Sequence, residues 1–149
     1  MSAHARKATQ GFTLVEILIV VVILGILAAI VIPQFTSASE DAKASSLQSQ
    51  LQTIRSQLEI YQVQHNGGYP DLLANGWDQM TGTTNAEGNA GDDYGPYLQQ
   101  PPRNSFTGSS TVADAAGAEV GWVWDGSQIT ASVPSAVEDM FNENDITTY

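Results

Sequence analysis

Apolar residues fall along this chain in three patterns, and each predicts a different element. The first is an unbroken run, Ile17 to Ile32 (ILIVVVILGILAAIVI), with no charge and a single glycine. Counted from Phe12, the run is 21 residues long and carries one charge, Glu16. As a helix rising 1.5 Å per residue it measures about 30 Å, the thickness of a bilayer's hydrocarbon core. The second pattern is a stripe. Leu47, Leu51, Ile54, Leu58 and Tyr61 are spaced four, three, four and three, which is one face of an amphipathic helix. Gln48, Gln52, Arg55, Gln57, Glu59 and Gln62 fall opposite, and Arg55 and Glu59 at i, i+4 are expected to pair. The third pattern is alternation. Glu119 to Trp124 and Gln128 to Val133, joined through Asp125-Gly126, predict a β-hairpin with a tight turn.

Pro33 lies between the first two patterns. A proline inside a helix removes a hydrogen bond and crowds the preceding turn, so a kink or local melting is expected there. The helix is expected to stop at Asn66-Gly67-Gly68, a C-cap signal. Phe12 to about Asn66 would then be one helix of roughly 80 Å. His65, at its end, is read as meeting the last free carbonyls. The stripe covers only about two heptads, so it is read as packing on the chain's own sheet rather than as a coiled-coil seam. From Gly67 to about Thr111 the chain is loop-rich. Asp71 to Ala74 reads as a short helical turn, and Trp77, Tyr94, Tyr97 and Leu98 as anchors to the long helix. Ser135 to Asn144 is read as a short helix with Ser135 as N-cap and Glu138 three residues on. The expected fold class is α+β: a long N-terminal α-helix packed on a small antiparallel β-sheet, with a loop-rich segment between.

Composition narrows the function. The chain has 149 residues, a net charge of -11 and no cysteine. No disulfide, thiolate chemistry or cysteine zinc site is therefore available. Arg6, Lys7 and Lys43 lie near the apolar run, and only Arg55 and Arg103 follow. The remainder is strongly acidic, which argues against a nucleic-acid partner. The sequence carries no nucleophile elbow, P-loop, zinc-protease or dinucleotide motif, and no enzymatic role is expected. Adjacent Asp92 and Asp93 in a Gly-rich stretch are read as solvated.

Glu16 changes the meaning of the apolar run. A charge inside hydrocarbon costs about 2.5–3.5 kcal/mol on insertion scales. Arg6 and Lys7 hold the N-terminal side in the cytoplasm and send the rest of the chain outward. An ordinary signal peptide is cut at small residues after its apolar region, and Ala28 or Ala29 could be misread as such a site. The run instead flows without a turn into the amphipathic pattern, which disfavours such a cut.

Gly11-Phe12-Thr13-Leu14-Val15-Glu16, followed by the apolar run and Pro33, resembles the class III leader and first helix of type IV pilins and type II secretion pseudopilins. The resemblance is specific over Gln10 to about Phe35. It implies that a prepilin peptidase cuts between Gly11 and Phe12, and that the same enzyme N-methylates the new amine of Phe12. Residues 1–11 would be the leader, 12–34 the transmembrane and filament-core half of the helix, 35–66 its amphipathic half, and 67–149 a periplasmic globular domain. Cleavage would also remove Arg6 and Lys7 and ease extraction from the membrane. The resemblance further implies that Glu16 meets the Phe12 amine of a neighbouring subunit, which makes the pair a registry device. Gly68-Tyr69-Pro70 and Tyr97-Leu98 before Pro101-Pro102 resemble, more loosely, the major (G-type) pseudopilins.

On this likeness the chain is a structural subunit of a pseudopilus that drives protein export. It starts in the bacterial inner membrane, and its partners are copies of itself, minor pseudopilins, an inner-membrane platform protein and an assembly ATPase. The alternative is a type IV pilus major pilin used in adhesion, motility or DNA uptake. Retention of Glu16 disfavours a subunit confined to the filament tip. Major pseudopilins often bind calcium in a C-terminal loop, so Ca²⁺ is carried as an expectation without assigned ligands. Its acidic candidates are Asp92, Asp93, Asp114, Glu119, Asp125, Asp139 and Asp145.

Overall fold

The computed structural model of the protein describes residues 11–149. His4, Arg6, Lys7 and the rest of the leader lie outside the described residues. The chain divides into two units, Met1–Ser39 and Glu40–Tyr149.

Within the first unit, helix α1 (Leu14–Gln64 over its whole length) begins at the apolar run and passes through Pro33. Pro33 has no N–H to give to the Ala29 carbonyl. The helix nevertheless stays intact on both sides, so the expected local melting does not occur. Hydroxyls of the next turn bond back to the backbone there: Thr36 Oγ1 donates to Ile32 O at 3.2 Å, and Ser37 Oγ to Pro33 O at 3.3 Å. The apolar side chains of this segment are exposed on every face, from Phe12 to Phe35. By length and composition the helix can cross a membrane.

In the second unit the predicted stripe is the core face of α1. Leu47, Leu51, Ile54, Leu58 and Tyr61 are all buried, and Ala44 extends the stripe by one turn. They pack with Trp122, Trp124, Ile129, Ala131 and Val133 in one cluster, as expected of a helix lying on its own sheet. The helix ends in a Schellman-like cap. Gly67 N donates to Gln62 O at 2.8 Å, and the left-handed position is Asn66, at φ 56°. Helix α2 (Leu72–Asn75) is capped by Asp71, whose Oδ1 accepts from Ala74 N at 3.1 Å. Helix α3 (Asp78–Thr81) follows.

The sheet has the order β1 (Val112–Ala113), β2 (Trp122–Trp124), β3 (Ile129–Val133), β4 (Ile146–Thr148). The hairpin expectation holds for β2 and β3, which are antiparallel with Trp124 opposite Ile129. Asp125 builds the turn. Its Oδ1 accepts from Gln128 N at 2.7 Å and Ser127 N at 2.8 Å, and those backbone donors hold its carboxyl below the usual range.

The expectation of an antiparallel sheet needs correction. β1 joins β2 in parallel and β4 joins β3 in parallel, so the sheet is mixed. The cause lies in the two connections, β1 to β2 and β3 to β4, each of which carries the chain back to the same end before the next strand begins. The C-terminal expectation also changes. Ser135–Met140 is a 3₁₀ helix, and Ser135 does not cap it. Its hydroxyl donates to Tyr149 O at 2.9 Å instead, tying the chain end to the start of that helix. The helix stops early because the chain must turn to supply β4.

The aromatic anchors hold the loop-rich segment. Trp77 Nε1 donates to Ser110 O at 2.6 Å, and its ring meets Trp122 edge-on at 6.3 Å. Tyr97 OH donates to Gln64 Oε1 at 2.6 Å and its ring contacts Tyr61. His65 does meet a carbonyl, Tyr61 O, through Nδ1 at 2.7 Å. A carbonyl only accepts, so Nδ1 carries the proton. The ring also stacks on Tyr61 at 3.7 Å and reaches Thr84 Oγ1 through Nε2 at 2.9 Å.

Candidate assembly and processing site

Gly11, Phe12 and Glu16 lie together at the head of α1; Pro33 is further along the same helix and is not part of this group. A Cβ placed on Gly11 would meet nothing within 4 Å, and Phe12 is 85% exposed. Among the described residues, nothing covers the peptide bond between them.

Thr13 is the residue that sequence reasoning missed. With Glu16 it forms a capping box, in which each residue bonds the other's backbone N–H. Glu16 N donates to Thr13 Oγ1 at 3.2 Å, and Thr13 N donates to Glu16 Oε2 at 2.8 Å. The Thr13 hydroxyl also donates to Oε2, at 2.7 Å. The signal was legible in the spacing Thr-x-x-Glu ahead of an apolar run.

This geometry fixes where the charge stands. The carboxylate is folded back over the first turn, where the helix dipole favours an anion. Both Thr13 bonds end on Oε2, so among the described residues Oε1 keeps its capacity to accept from an incoming donor. In the uncut chain the nitrogen of Phe12 is an amide bonded to Gly11, not an amine. An ammonium group at this end can exist only after the bond between Gly11 and Phe12 is broken.

Among the described residues, the acidic side chains named for calcium do not cluster. Calcium takes six to eight converging oxygens. Among the described residues, no three His, Cys, Asp or Glu side chains come together to hold a metal. Asp125 Oδ1 is consumed by its turn, and Asp145 Oδ1 is paired with Arg55 Nη1 at 2.5 Å. Glu138, Asp139 and Glu143 line one open groove of about 480 Å³ without converging. Among the described residues, side-chain carboxylates alone do not make up a calcium shell.

Arg55 is also where the expected helix pair fails. Its guanidinium turns away from Glu59 to the C-terminal segment, reaching Asp145 and the carbonyls of Ile129 and Asn144. A fork with five donors finds more partners at the sheet edge than one exposed glutamate offers.

Residues 6–32 match the prokaryotic N-terminal methylation motif. The chain is similar to type II secretion system core protein G of Pseudomonas aeruginosa, 45% identical over 65 residues, 44% of this chain and 45% of that one. It is similar to the protein of the same name from Klebsiella pneumoniae, 32% identical over 98 residues, 65% of this chain and 69% of that one. A type IV narrow pilus major component of Thermus thermophilus is 40% identical over 58 residues, 39% of this chain and 50% of that one. The chain spans less than half the length of several curated relatives it matches, the Pseudomonas aeruginosa protein among them. No solved structure matches.

Proposed function

The chain belongs to the type II secretion system core protein G family, and on that premise we propose that it is the repeating subunit of a pseudopilus. It waits in the inner membrane, is cut after Gly11, is methylated on Phe12, and polymerises through its first helix to push proteins outward. Its role is structural rather than catalytic. The prepilin peptidase, a platform protein, an assembly ATPase and minor pseudopilins are its partners.

One observation carries this reading: a helix head whose apolar side chains are all exposed, led by a single carboxylate. So large an apolar surface needs lipid or other helices around it. Lipid alone would leave Glu16 as an unpaired charge at high cost. A second subunit offers both an apolar wall and, once cleaved, an ammonium group. A buried pair of this kind is satisfied in one axial stagger and broken in any other. The match to a narrow-pilus component supports a second reading, a type IV pilus subunit built by the same chemistry.

Cell fractionation tests the proposal. In cells making the secretion apparatus, a shortened form is expected in sheared filaments and the uncut form only in the inner membrane. A protein that stays wholly monomeric in the membrane while secretion proceeds contradicts the reading. Abundant surface fibres that retract, with secretion unaffected by deletion, favour the pilus.

A further inference from the structure

The second unit holds one feature that polymerisation does not use. Arg55 stands on α1 with its guanidinium among three oxygens from two distant stretches of chain. Nη1 donates to Asp145 Oδ1 at 2.5 Å, and Nη2 donates to Ile129 O at 3.0 Å and Asn144 O at 2.9 Å. Two main-chain carbonyls and one carboxylate are the oxygen types that calcium selects. Here a side-chain cation occupies the middle of the set.

Two of the same groups, the Asn144 carbonyl and the Asp145 carboxylate, are also held from outside. Gln128 Nε2 donates to Asn144 O at 3.1 Å, and Asn142 Nδ2 to Asp145 Oδ2 at 3.4 Å. Directly beyond them β4 begins, and Ala131 N donates to Asp145 O at 2.9 Å. Arg55 therefore joins the long helix, the start of β3 and the entry to β4 at one point. This is the only ion pair among the described residues, and it is partly buried, with side-chain exposures of 31% and 21%. Partial burial lifts it above the near-zero contribution of a fully exposed pair.

We infer that Arg55 is the cation that closes the C-terminal segment onto the sheet, and that the fold of this protein needs no divalent ion there. This departs from the calcium expectation that accompanied the family resemblance. It rests on the Arg55 oxygen set and on the engagement of Asp125 Oδ1 by its turn and of Asp145 Oδ1 by Arg55, and is independent of how the filament assembles.

Thermal unfolding of the full-length protein in detergent tests it. Trp77, Trp122 and Trp124 are all buried, so their fluorescence reports the fold of this unit. The midpoint is expected to move by less than about 1 °C between excess EDTA and millimolar calcium, since only a ligand that prefers the folded state shifts it. Arg55→Gln is expected to lower the midpoint by roughly 4–8 °C. A fall of several degrees in EDTA, a rise of several degrees in calcium, or an unchanged midpoint in Arg55→Gln overturns the inference. Should Arg55→Gln fail to fold, Arg55→Lys, which keeps the charge and loses the fork, decides. A lowered midpoint with no calcium response upholds the inference, and a wild-type midpoint contradicts it.

Discussion

Replacing Glu16 with Ala is expected to stop filament assembly, with protein level and membrane insertion retained. On the proposed reading, the subunit interface then keeps its apolar surface but loses one half of an ion pair. Breaking a buried pair from one side costs about 3–5 kcal/mol, because the other charge is left unpaired. At about 1.4 kcal/mol per tenfold, assembly falls more than a hundredfold at each junction. The variant also loses the capping box, which is worth about 1 kcal/mol to the helix. Glu16→Gln separates the two effects, since a glutamine at this position still caps. Quantifying sheared filaments from both variants reads the result. Loss in both supports pairing. Loss in Ala alone assigns the effect to capping, and normal filaments in both defeat the registry account.

Trp122→Ala is expected to be the most damaging change in the second unit. Trp122 is fully buried at the centre of the sheet, and its Nε1 donates to Pro102 O at 2.9 Å. Truncating a buried tryptophan costs about 3–5 kcal/mol, a large part of the 5–15 kcal/mol that holds an ordinary domain together. The unfolding midpoint should drop by more than about 10 °C. Circular dichroism on the membrane-extracted protein measures it. A drop below about 3 °C would mean that the core is held elsewhere than at the helix-sheet contact.

What was legible in the sequence was local. The stripe from Leu47 to Tyr61 repeats often enough to fix its buried face, and the structure adds only Ala44. The hairpin was legible because alternation flanks Asp125-Gly126, and the helix end because Asn66-Gly67 permits left-handed backbone. The edges of the sheet were not legible. β1 has two residues and β4 three, too few for a period of two to register. Their parallel pairing depends on chain far away in sequence.

Arg55 shows the same limit. Its helical neighbour Glu59 was the visible partner, while Asp145 was invisible until the fold brought it near. Asn104 was missed entirely. Buried, it donates to Gly121 O and Ser132 O at 2.8 and 2.7 Å and accepts from Phe106 N at 2.8 Å. No single-sequence pattern distinguishes such an asparagine from one in a solvated loop. At Gly121 a Cβ would run into Ser109 O, so that position admits only glycine, again for a long-range reason.

At the helix head, the placement of Gly11, Phe12 and Glu16 was legible because all three lie within six residues. Thr13 is harder to read because a threonine ahead of an apolar run becomes a cap only through its reciprocal bonds with Glu16. Its presence sharpens the account. The carboxylate is held over the first turn by Thr13, and on the proposed reading its partner is made by processing.

The most direct measurement is the mass of the mature N-terminus from protein recovered in cells. The account predicts a chain beginning at Phe12 and carrying one added methyl group. A chain that retains Met1, or begins just after Ala28 or Ala29, would contradict it.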